Sequence, residues 1–97
     1  MDITIQAPQH RNFSELQEHY KTKIMDKFNQ FEFIVNAELH VSETERDQKE
    51  IKLLLHPKKG NALIAHDISD TEDKAFSNVV NKLKPQIERY KNSILAH

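Results

Sequence analysis

The chain has 97 residues, 37% hydrophobic and 30% charged, with a net charge of −1 and no cysteine. That is the size of one domain, residues 1–97, with a single modest core, and its composition excludes wholesale disorder. The missing cysteine excludes disulfides, zinc ribbons and thiol nucleophiles. No apolar stretch approaches the roughly 20 residues of a membrane span, and residues 1–5 carry no leader pattern, so a soluble cytoplasmic domain with no membrane partner is expected.

Ile3, Ile5 and Ala7 alternate with Asp2, Thr4 and Gln6, the period of a half-buried strand that Pro8 ends. Ser14, Glu15, Leu16 and Gln17 form a capping-box pattern. Phe13, Leu16, Tyr20, Ile24, Phe28 and Phe31 follow at helical spacing, which predicts a helix over residues 14–31. Ala37, Leu39 and Val41 alternate with Glu38, His40 and Ser42 in a second strand. A polar connection follows over residues 43–48, then a third strand through Ile51, Leu53 and Leu55. Pro57, Lys58, Lys59, Gly60 and Asn61 read as a turn, and residues 62–68 as the fourth strand. Ser69 to Glu72 repeats the capping-box pattern. Phe76, Val79, Val80, Leu83, Ile87, Tyr90 and Ile94 then mark an amphipathic helix to about residue 95, which Pro85 is expected to bend or interrupt.

The order is β-α-β-β-β-α, an α+β fold. Its simplest assembly is one four-stranded mixed sheet with both helices packed on one face. The opposite face, carrying His40, Lys52 and His56, is expected to be open to solvent, where His40 and His56 could meet. Without cysteine or a tight acidic ligand set, His40, His56 and His66 read as surface histidines and no metal is expected; His10, His19 and His97 look incidental. The aromatic residues at helical spacing read as core. Phe13 and Phe33 flank the first helix, where nothing supports a stacking role.

Catalysis has little to stand on. Gly60 is the only glycine, so there is no phosphate-cradling loop, and no serine lies in a nucleophile elbow. Glu43/Glu45 and Asp70/Asp73 lie in a loop and at a helix start, where solvation and the helix dipole explain them. No enzyme activity, cofactor or small-molecule substrate is expected. Charge is nonetheless polarised. Over residues 74–97, Lys74, Lys82, Lys84, Arg89 and Lys91 face only Glu88, whereas over residues 38–50 five acids outnumber Arg46 and Lys49.

Three segments add to the element order: Lys27-Phe28-Asn29-Gln30-Phe31 closing the first helix, Asn36-Ala37-Glu38-Leu39-His40-Val41 with Glu50-Ile51-Lys52-Leu53-Leu54-Leu55-His56 as central strands, and Asp70-Thr71 to Ala75 with Asn81-Lys82-Leu83-Lys84-Pro85-Gln86-Ile87 through Lys91 in the second helix. Together they resemble the short ribosome hibernation promoting factor/protein Y family of ribosome-associated translation inhibitors, whose fold is similar to double-stranded-RNA-binding domains. The resemblance covers essentially the whole chain. It implies a stress-response factor that binds the small ribosomal subunit through 16S-type ribosomal RNA and blocks the messenger and transfer RNA path. The chain looks like the short form, so any pairing of two ribosomes is expected to need a separate factor or not to occur.

Carried over position by position, the resemblance makes Lys23 and Lys27 on the first helix and Lys82, Arg89 and Lys91 on the second RNA-phosphate contacts. Lys84 and the turn residues Lys58 and Lys59 are secondary candidates. Pro85 stands where the family usually has arginine and Ser93 where lysine is common, which predicts weaker, more salt-sensitive attachment. The alternative is a protein-interaction module of the same fold that has lost ribosome binding.

Overall fold

The computed structural model describes residues 1–8 and 11–95, with backbone alone for Ile94 and Leu95. The expectations for His10, His97 and the Ile94 side chain lie outside the described residues and side chains.

Strand β1 (Asp2–Gln6) forms on the alternation noted above, burying Ile5 and the following Ala7. Helix α1 (Phe13–Phe28) buries Leu16, Tyr20, Ile24 and Phe28, one residue per turn along a single stripe. It starts one residue before Ser14: Asn12 is the N-cap, and its carbonyl accepts the Leu16 amide at 3.0 Å. The Ser14–Gln17 pattern therefore lies within the first turn and does not cap. The helix also ends at Phe28, short of Phe31. The Phe31 amide donates to the Phe28 carbonyl (3.0 Å) and the Ile34 amide to the Phe31 carbonyl (3.1 Å), so the chain leaves in successive turns. Turning there lets Phe31 pack on Phe33, whose ring stacks on Tyr90 at 5.0 Å.

Strands β2 (Ile34–Glu43) and β3 (Lys49–Pro57) form a hairpin longer than their apolar alternation marks. Its turn is closed by the Thr44 amide on the Gln48 carbonyl (2.9 Å). Thr44 Oγ1 accepts the amides of Arg46 and Gln48, and Asp47 takes a left-handed φ of 59° that an aspartate tolerates. Strand β4 (Leu63–Ser69) completes the sheet. Helix α2 (Glu72–Tyr90) continues into a π-helical turn over Lys91–Leu95. Its cap is Thr71, whose Oγ1 accepts the Lys74 amide at 3.2 Å; Ser69 stays in β4 and its hydroxyl donates to Asp67. The cap thus falls two residues after Ser69, inside the Ser69–Glu72 pattern, with Glu72 and Asp73 favourably placed in the first turn.

Pro85 does not interrupt α2. Asn81, whose carbonyl would have accepted the missing amide, and Pro85 itself are both exposed, while Leu83, Ile87 and Tyr90 hold the other side in the core.

The strand order is β1-β2-β3-β4, with β1 parallel to β2 and the other neighbours antiparallel. Ile5, Leu39, Leu53 and Ala65 stand opposite one another in one row across all four strands. Both helices cover that face: Tyr20, Ile24 and Phe28 from α1 and Phe76, Val79, Leu83 and Ile87 from α2 join the same core. On the other face Glu38 lies between two histidines, 3.1 Å from His56 Nε2 and 3.7 Å from His40 Nε2, so these rings meet through a carboxylate. No described helix is long and apolar enough to cross a membrane.

Two polar devices fix the helices. Tyr20 is fully buried and its hydroxyl donates to Glu72 at 3.1 Å, tying the middle of α1 to the start of α2. Along the outer edge of β4, the Gln86 amide group donates to the Ile64 carbonyl (2.8 Å) and accepts the Ile64 amide (3.3 Å), as a fifth strand would. Lys82 Nζ donates to the His66 carbonyl at 2.8 Å one step along. Side chains of α2 thereby occupy an edge that could otherwise pair with another chain.

Gln86→Ala, which frees both Ile64 groups, is expected to cost roughly 1–2 kcal/mol in urea unfolding with an unchanged m value. An unaltered midpoint would refute the edge clamp. Burial, and then the Glu72 carboxylate, push the Tyr20 phenol far above the ordinary tyrosine range. Its folded-state pKa exceeds the unfolded value near 10, so this contribution is fully present below about pH 10 and is lost as pH rises. Melting temperatures should therefore fall more steeply above about pH 10 for the native chain than for Tyr20→Phe.

Candidate nucleic-acid interface

Because α1 and α2 lie on one sheet face, a groove runs between their outward flanks. Its floor is Phe28, Val80 and Ile87, and Lys27 and Lys84 stand on opposite walls beside Gln30, Phe31 and Glu88. The volume is about 380 Å³. Beyond Phe31 a second, more open depression is lined by Phe31, Phe33, Gln30, Glu32, Lys58 and Lys91. Gln30 and Phe31 belong to both, so the two form one strip carrying four lysines against two glutamates.

Three chain segments converge to build the second depression. The turns after α1 present Phe31, the end of β3 brings Lys58, and the end of α2 brings Lys91. Lys58 is pinned by its amide on the Phe33 carbonyl (2.9 Å), and Tyr90 donates its hydroxyl to the Lys59 carbonyl at 2.7 Å. Lys91 Nζ stands 5.8 Å from the Phe31 ring centroid and 3.6 Å from Glu88.

The eight sequence candidates divide accordingly. Lys27, Lys84, Lys58 and Lys91 share the strip. Lys59 is exposed beside it at the β3–β4 turn, where Arg89 borders a separate depression with Gly60, Asn61 and Ser93. Lys23 donates to Asp73 at 3.2 Å and its ammonium lies 5.2 Å from the Phe76 ring centroid, near the beginning of α2. Lys82 turns to β4, where Nζ also meets Asp67 at 3.1 Å. Lys27, Lys84, Lys58, Lys59 and Arg89 make no ion pair among the described residues, whereas Lys23, Lys82 and Lys91 do.

Asp67 explains the commitment of Lys82. It is on the inner face of β4 with Leu63 and Ala65, and its carboxylate accepts from Asn78 (2.9 Å), Ser69 and Lys82. Those bonds, Asn78 first, hold its pKa below the usual aspartate value. At the start of α2, Lys74 likewise holds Asp70 low. Sequence reading missed this cluster, and also the parts of Gln30 and Glu88 in the groove. The strand parity Leu63, Ala65, Asp67 was the one available signal, since it places a carboxylate on an apolar face. Among the described residues no group of three or more metal-ligating side chains is arranged so that it could hold a metal ion.

Comparison with known proteins bears on this arrangement. The family described as Sigma 54 modulation protein / S30EA ribosomal protein matches residues 3–94, and the chain belongs to it. That family is one of ribosome-associated modulation factors, and the resemblance to the hibernation promoting factor/protein Y family is confirmed. The solved N-terminal domain of Thermus thermophilus Protein Y is similar with a TM-score of 0.76 at 12% identity, covering 93% of this chain and 99% of that one. A ribosomal subunit interface protein from Coxiella burnetii is similar with a TM-score of 0.79 at 19% identity, covering 96% and 100%. At such identities the likeness is one of fold. No curated protein sequence matches the chain.

The two neighbouring lysines on α2 should behave differently. Lys84→Glu is expected to leave stability within about 0.5 kcal/mol, as an exposed substitution without a partner does. Lys82→Glu removes the bonds to β4 and puts a carboxylate beside Asp67, so it should cost about 1 kcal/mol or more in chemical unfolding. Equal losses would contradict the division of roles.

Proposed function

We propose that this protein is a hibernation factor of the cytoplasm that binds the small ribosomal subunit with the helix-bearing side of its fold. The lysine strip lies against phosphates of 16S-type ribosomal RNA, and the body of the domain, residues 1–97, occupies the path of messenger and transfer RNA. Inhibition is steric.

The observation that carries the reading is the family match over residues 3–94, on a fold that aligns Lys27, Lys84, Lys58 and Lys91 in one strip. Phosphate contacts of this kind position a protein without reading bases. A near-neutral chain can make them because charge is local: three of the four strip lysines are free of ion pairs among the described residues. Lys23, Lys59 and Arg89 serve as outer contacts. Lys82 is already engaged with β4, which suits it to support more than to contact.

A second reading has one observation in its favour. Asp73, Asp67 and Glu88 neutralise Lys23, Lys82 and Lys91, interleaving acids among the basic residues, as in a protein-interaction module that has left RNA.

Co-sedimentation with small subunits and whole ribosomes across a salt series separates the two. The first reading expects saturable binding near one copy per ribosome, with log affinity falling against log salt at a slope of roughly −3 for four phosphate contacts. Lys27→Glu with Lys84→Glu should abolish sedimentation while the melting temperature holds. Sedimentation that survives the pair overturns the site. Failure of the native chain to sediment at low salt favours the second reading.

A further inference from the structure

Within the strip, the depression at Phe31 differs from a plain phosphate-binding surface. Two half-buried aromatic rings, Phe31 and Phe33, line it, and Lys91 stands over the Phe31 ring. Phe33 is stacked on Tyr90 with centroids 5.0 Å apart and planes at 22°, which occupies one of its faces. Phe31 leans on Phe33 at 5.8 Å and 49°, and it is half-buried, so part of its surface fronts the depression. The ammonium of Lys91 lies 5.8 Å from the Phe31 centroid and Lys58 lines the same hollow. An aromatic surface beside two cations is the chemistry that receives a base and its phosphate together, because every nucleobase has a π-face and every nucleotide a negative charge.

The position is also built firmly. Phe31 is held by the turn bonds Phe31 N–H to Phe28 O and Ile34 N–H to Phe31 O, and Lys58 by its amide bond to Phe33. A base entering here thus meets a platform already ordered, which lowers the entropic cost of binding. A paired base in a duplex keeps its faces stacked on its neighbours and cannot present one to Phe31; an unpaired nucleotide can.

We infer that the Phe31–Lys58–Lys91 depression is a subsite for one unpaired RNA nucleotide, its base against Phe31 and its phosphate between Lys58 and Lys91. The inference deepens the ribosome-binding reading and rests on it for the source of the RNA. It assigns the strip a preference for single-stranded over duplex RNA, with Lys27 and Lys84 following the backbone into the interhelical groove.

The test measures fluorescence anisotropy of a labelled single-stranded oligouridylate of about eight nucleotides, a length within the range such sites cover. A blunt RNA duplex of the same length is the comparison. The single strand should bind more tightly. Phe31→Leu keeps the apolar bulk but removes the stacking face, and should weaken single-strand binding by about five-fold or more. Phe31→Tyr, which keeps that face, should restore it. Lys58→Gln should lower the salt slope by about 0.7, the share of one single-strand phosphate. Equal affinity for duplex and single strand, or a Phe31→Leu chain that binds as the native one does, overturns the subsite. Co-sedimentation keeps the two conclusions apart. A native chain that sediments with ribosomes while Phe31→Leu changes nothing loses the subsite alone. One that binds the oligonucleotide through Phe31 but not ribosomes loses the ribosome reading alone.

Discussion

Two amphipathic helices must bury their stripes on the same face of a four-stranded sheet, and the interface is a consequence of that constraint. The row Ile5, Leu39, Leu53 and Ala65 supplies one apolar floor, and Tyr20, Ile24 and Phe28 on α1 share it with Phe76, Val79, Leu83 and Ile87 on α2. Cylinders lying side by side on a sheet leave a furrow between their outer flanks. Residues one step off each buried stripe, Lys27 on α1 and Lys84 on α2, have to line it. The core residues Phe28, Val80 and Ile87 form its floor.

The charges show how a chain with a net charge of −1 can still present a basic strip. Several acids that would cancel it are already paired with other groups of the chain. Glu72 takes the Tyr20 proton donor, Asp67 gathers Asn78, Ser69 and Lys82, and Asp73 meets Lys23. The acidic middle of the chain, residues 43–50, lies around the β2–β3 turn and includes the Glu43–Lys49 ion pair. Among the described residues the strip itself keeps only Glu88 and Glu32. Some basic residues are consumed in the same way, so neighbours such as Lys82 and Lys84 serve different ends. One guards a strand edge; the other faces the groove.

The end of α2 has a comparable double use. Tyr90 packs on Phe33 and donates to the Lys59 carbonyl, anchoring the β3–β4 turn to the helix. The same anchorage brings Lys58 and Lys91 to the Phe31 ring. Pro85 leaves this intact because it lies on the exposed side, away from the Leu83–Ile87–Tyr90 stripe.

Periodicity alone determined the element order, the one-sided sheet and most of the core, because burial imposes a period of two on strands and about 3.6 on helices. It misplaced both helix starts and one helix end. Each S-x-x-E/Q pattern offered a plausible cap, but the residue that leaves helical geometry is chosen by how the preceding segment enters, and Asn12 and Thr71 won that competition. The basic residues were legible as a set, and their division was not. Lys82 meets His66 and Asp67 across fifteen or sixteen positions, Gln86 meets Ile64 across twenty-two, and Tyr90 reaches Lys59 across thirty-one. Such contacts leave no periodic trace in the chain. Only the packed tertiary structure decides which cation is held inside the fold and which is left for a partner.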